Sequence, residues 1–145
     1  MSRRMRALAV MLVCAALSAC GSDDTESDPS AETVQGSERG VLATIDALQT
    51  ASRRGAGGRI CRDVFTRDLV RSIETSAKRS CSTEVRKRLF TRKASISVQR
   101  GIQVKGITAS AIIREQNGNI STLHFLKQAG RWRIDRVTPQ KAGHQ

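Results

Sequence analysis

A chain of 145 residues with 25 lysines and arginines, 13 acids and a net charge of +12 has room for one small domain with a modest core. The basic balance draws anionic partners, but the chain has no tyrosine, three phenylalanines and one tryptophan. Nucleic-acid binding usually sets aromatics among the basic residues, so that class of partner is set aside.

Arg3, Arg4 and Arg6 precede an apolar run from Ala7 to Ala19, with small residues around its end. A bilayer span needs about 20 residues, and this run is shorter, so residues 1–19 read as a secretory signal. The sequence Leu17-Ser18-Ala19-Cys20 resembles the lipobox of bacterial lipoproteins. That resemblance implies cleavage before Cys20, a diacylglyceryl group on its thiol and loss of Cys14 with the signal. It also implies a protein anchored by lipid to the extracytoplasmic face of the cell membrane.

Gly21 to Glu38 follows with six acids, no lysine or arginine and one large aliphatic residue, Val34. Residues 20–38 are therefore expected to be a lipidated cysteine and a disordered, self-repelling tether. The charge is split along the chain. Residues 39–145 hold 22 basic residues against 7 acidic ones, a net of +15.

Residues 39–145 read as one basic domain, helical first and stranded second. Val41, Ile45, Leu48 and Ala51 place an apolar face on a helix from about Glu38 to Arg54, with Leu42 beside it and Ser37 as N-cap. Gly55, Gly57 and Gly58 stop that helix; they follow a helix rather than a strand, which suits a cap and turn, not a phosphate loop. Ile60 to Thr75 is a second helical stretch with a break expected at Thr66. Ser82 to Phe90 is a third, with Val85, Leu89 and Phe90 inward and Arg86, Lys87 and Arg88 toward solvent.

After Lys93 the period becomes two. Ile96 and Val98, Ile102 and Val104, Ala109 to Ile113, Leu123 and Phe125, and Trp132 and Ile134 alternate with polar residues. Asn117-Gly118 and Ala129-Gly130 mark turns. The expected fold is α+β: about three helices packed on a curved antiparallel sheet of about four strands. This layout, with the closing strand Gly130-Arg-Trp-Arg-Ile-Asp135, resembles the nuclear-transport-factor-2-like superfamily. The resemblance implies a cone with a pocket between sheet and helices, and it leaves a homodimer through the sheet open.

Cys61 and Cys81 remain once Cys14 and Cys20 are assigned, and an even pair in an exported domain reads as a disulfide. No metal or cofactor is expected, because His124 and His144 are the only imidazoles that could join them. Enzymes of the resembled superfamily use pocket carboxylates, tyrosines and histidines. This chain has no tyrosine, so an isomerase or hydratase is the weakest reading and a non-enzymatic module the preferred one. Asp46, His124 and Trp132 are the candidate pocket residues. Arg86, Lys87, Arg88, Arg92 and Lys93 form the densest basic cluster, expected to meet anionic envelope components or a membrane protein. The alternative is a carrier of a small apolar ligand in the cone.

Overall fold

A computed structural model of the chain describes residues 29–89 and 92–140. The expected signal at residues 1–19, with Cys14, and also Cys20 and His144 lie outside the described residues. Helix α1 (Pro29–Arg53) is followed by a short turn, α2 (Gly57–Arg59), that runs straight into a π-helical turn, Ile60–Val64. Then come α3 (Arg67–Ala77), α4 (Cys81–Leu89) and five strands: β1 (Ile96–Val98), β2 (Gln103–Lys105), β3 (Thr108–Glu115), β4 (Ile120–Gln128) and β5 (Arg131–Pro139).

The first helix begins well before the expected Glu38. Pro29 takes its first position, where a missing N–H leaves no hydrogen bond unmade. Residues 29–38 are therefore helical, and the disordered tether expected there does not hold over that stretch. Ser37 is not an N-cap. It continues the buried stripe of Val41, Thr44, Ile45, Leu48 and Ala51 one turn upstream. The turns upstream, exposed at residues 33–36, extend that packed helix despite an acidic composition that favours disorder. Leu42, beside the stripe, is 43% exposed.

The expected break at Thr66 is real. Phe65 and Thr66 are extended, and Phe65 bridges Ile134 in parallel fashion while Thr66 N–H donates to the Ile134 carbonyl at 2.9 Å. Thr66 Oγ1 then caps α3 by accepting from Leu69 N–H at 3.2 Å.

All strand pairs are antiparallel, in the order β1-β3-β4-β5, with β2 beside β1 along the same edge of β3. The five strands exceed the four expected because the stretch after Lys93 splits into two short pieces. Ala109, Ala111, Ile113, Leu123, Phe125, Trp132 and Ile134 turn inward against Val41, Ile45 and Leu48 of α1 and Ile60, Val64 and Val85 of the other helices. Trp132 lies against Gly40: a Cβ there would sit 2.6 Å from Trp132 Cδ1. Thr44 Oγ1 donates to the Trp132 carbonyl at 2.9 Å, fixing α1 to β5. Cys61 and Cys81 form a disulfide that ties the π-helical turn to the start of α4, with Cα atoms 6.2 Å apart.

Candidate functional site

Between the C-terminal half of α1 and the inner face of the sheet lies a cavity of about 590 Å³. Its walls are mainly apolar: Leu48, Ile96, Ile113, Leu123, Ile134 and Val137 are among its lining. Its mouth carries Arg88, Lys93, Glu115 and Asn117. Two hydrogen bonds tie residues 94 and 96, beside this cavity, to α1. Ile96 N–H donates to Gln49 Oε1 at 2.7 Å, and Arg53 Nε donates to the Ala94 carbonyl at 2.6 Å.

Val137 reaches this cavity because β5 carries a bulge. Phe125 pairs with Ile134 but His124 pairs with Arg136, so Asp135 has no counterpart on β4. One extra residue inverts the alternation beyond it. Without the bulge, the period set by Trp132 and Ile134 would point Val137 outward. With it, Val137 stands opposite Leu123 and lines the cavity, 41% exposed. The looped-out Asp135 accepts from Thr66 Oγ1 at 3.0 Å, which links the bulge to the helical layer.

The three candidate pocket residues are not gathered in this cavity. Asp46 is exposed on α1. His124 lies on the outer face of the sheet, where its Nε2 is 3.2 Å from Thr138 Oγ1, because Leu123 and Phe125 take the inner face. Trp132 is a core residue at 5% exposure, with Lys127 Nζ 5.7 Å from its ring centre. An Asp46–His124 acid-base pair is therefore not assembled.

The basic cluster does not form one surface either. Arg86, Lys87 and Arg88 are consecutive on α4, so they fan through about 200° around the helix. Arg88 turns to Glu84, which is 6% exposed and also lies 3.6 Å from Arg79 Nε. The hydrogen bond from Arg88 is the chief reason that the Glu84 carboxyl is held below the usual carboxylate range. Lys93 joins Arg88 at the cavity mouth, while Arg92 is exposed beyond α4.

A second concavity was not foreseen from the sequence. It is an open groove of about 1120 Å³ between the π-helical turn, the start of α3 and the β4–β5 hairpin. Its lining includes Arg62, Asp63, Arg67, Arg71, Arg131 and Arg133. Two signals for it exist in the sequence: Arg67 and Arg71 are one helical turn apart, and Arg131 and Arg133 share a strand face.

Neither a protein-family model nor any curated protein matches the chain. Among solved structures, the chain is similar to an NTF2-like protein of unknown function from Shewanella baltica OS155. The TM-score is 0.50 at 17% identity, over 74% of this chain and 97% of that one. The fold is NTF2-like. The four helices and antiparallel sheet thus form an NTF2-like cone, and the 590 Å³ cavity occupies the space between its sheet and helices.

Proposed function

We propose that this NTF2-like domain is a ligand-binding module without catalytic activity, held by a lipid on Cys20 at the extracytoplasmic face of the membrane. Its ligand is a small, largely apolar molecule bound in the cone. The observation that carries this reading is the cavity itself. About 590 Å³ of mainly apolar space falls within the ~300–1,000 Å³ common for small-molecule sites. The absence of tyrosine and the separation of Asp46 from His124 favour binding over proton transfer. The scattering of the α4 cluster favours the cavity over that cluster as the place of recognition.

The test is a titration of the full mature protein with an environment-sensitive fluorescent fatty acid, alongside the Val137→Trp variant. Val137 is half exposed at the mouth, so the larger ring blocks entry without filling the core. Saturable binding that the variant loses at least tenfold supports the reading. Equal binding by both proteins, or none by either, rejects it. The lipid anchor is tested separately, by the mass of the mature N-terminal peptide and its loss in Cys20→Ser.

A further inference from the structure

The groove beside the β4–β5 hairpin gathers five arginines from three parts of the fold against a single acid, Asp63. These arginines are not equivalent. Arg62 is spent on Asp63, with Nε 3.3 Å from Oδ1, and Arg71 is paired with Asp68. Arg133 is built into the floor: its NH1 donates to the carbonyls of Arg62 at 2.7 Å and Phe65 at 3.2 Å. Those bonds fix the guanidinium but do not neutralise it, and they leave three of its five N–H donors. Arg67 and Arg131 have no carboxylate partner among the described residues. Three uncompensated guanidinium groups thus line one groove: one on α3, one at the hairpin and one held rigid by the carbonyls beneath it.

We propose that this groove is a second binding site, distinct from the inner cavity, for a phosphate group, with Arg67, Arg131 and Arg133 as its ligands. The chemistry selects the class. A guanidinium presents a planar fork that matches two oxygens of an oxyanion. A carboxylate offers two oxygens in one plane and is satisfied by one fork. A phosphate sets its oxygens tetrahedrally, two of them free with one charge in a diester and three with up to two charges in a monoester, and its ester oxygens accept as well, which suits forks arriving from different elements. Arg133 needs no ordering on binding, because its backbone bonds already hold it, so the entropic cost of the complex falls on Arg67 and Arg131 alone. No exposed aromatic lines the groove, since Phe65 is buried, so stacking on a base or sugar adds nothing. The phosphate can belong to a lipid headgroup or to a soluble ester, and the same groups recognise both.

The experiment uses calorimetric titration of the full mature protein in neutral detergent. The probes are inorganic phosphate, a short-chain phosphatidylglycerol and the phosphatidylcholine of the same chain length. Three variants accompany it: Arg67→Ala/Arg131→Ala, Arg67→Lys/Arg131→Lys and, as a charge-matched control, Arg86→Ala/Lys87→Ala. The expected result is saturable binding of phosphate or phosphatidylglycerol that falls at least tenfold in both groove variants. The control stays within twofold of the parent. Binding of phosphatidylglycerol alone identifies a lipid headgroup as the source, and binding of both identifies phosphate itself. Absence of saturable binding, equal loss in the control, or full retention by the lysine variant each overturns the site. The groove variants keep the parent's binding of the fluorescent fatty acid, which keeps this outcome separate from that of the inner cavity.

Discussion

Thr66 is fully buried and uses every polar atom it has. Its N–H reaches Ile134, its carbonyl accepts from Val70, and its hydroxyl joins Asp135 and Leu69. Thr66→Val keeps the shape but removes the helix cap and strands the Asp135 contact. The expected loss is about 2 kcal/mol, read from urea denaturation. Thr66→Ser retains most of the stability, and an equal loss in the two would show that the methyl group, not the hydroxyl, matters. Two glycines on α1 give an opposed pair. At Gly40 a Cβ strikes the Trp132 ring, so Gly40→Ala costs about 1–3 kcal/mol and shifts the fluorescence of the chain's one tryptophan. At Gly36 a Cβ meets nothing within 4 Å, so Gly36→Ala raises helix propensity and stabilises by up to about 1 kcal/mol. Thermal melts of the two variants should move in opposite directions.

At the scale of elements, two fastenings tighten the helical layer. The first is the disulfide. Cys61 and Cys81 are 20 positions apart, and closing such a loop constrains the unfolded chain by about 3 kcal/mol. The double Cys→Ser variant should melt roughly 15 °C lower, given about 4–8 °C per kcal/mol for a domain of this size. The second fastening is Glu84, which joins Arg79 and Arg88 across α4. Its pKa is lower in the folded state, so its contribution is present above the unfolded value and is lost as pH falls through the folded one. Stability measured from neutral to acid pH should therefore fall less steeply in Glu84→Gln than in the parent, with the difference confined to the carboxylate range. Much at this scale was legible. Period-two patterning marked the strands, and the cysteine count marked the bridge. The break at Thr66 showed in the helical pattern of that stretch. The bulge at Asp135 was not legible, because a looped-out residue leaves the local alternation of Trp132 and Ile134 untouched and reverses only the facing of Arg136 and Val137 beyond it.

For the whole molecule, the α+β order of elements and the closing Gly-Arg-Trp strand were enough to point to the cone. The sites were not. His124 and Asp46 look like pocket residues in one dimension, but the face of each is decided by which neighbours the core claims. The arginine groove escaped notice for a related reason. Arg62, Arg67 and Arg71 are some sixty positions from Arg131 and Arg133, and the two sets meet only through tertiary contacts, the pairing of Phe65 with Ile134 and the bonds of Arg133 to the Arg62 and Phe65 carbonyls among them. Local charge density instead favoured residues 86–93, where adjacency in sequence scatters side chains around a helix.

That same pairing governs when the protein can acquire its shape. Phe65 and Thr66 lie along the outer edge of β5, and Thr44 bonds to Trp132 across 88 positions. The chain emerges amino end first, whether from a ribosome or through a membrane pore. Its helices therefore wait for a partner that follows them by some fifty to ninety positions. Until residues 131–139 are delivered, Thr44 lacks the Trp132 carbonyl that its hydroxyl bonds, and Thr66 lacks the Ile134 acceptor for its N–H. Assembly of the helical layer on the sheet is thereby postponed until that strand is delivered. A chain ending at Gly130 should accordingly stay protease-sensitive throughout and lack the slow-exchanging amides of β4. Protection of those amides in the shortened chain would show that the cone closes without its last strand.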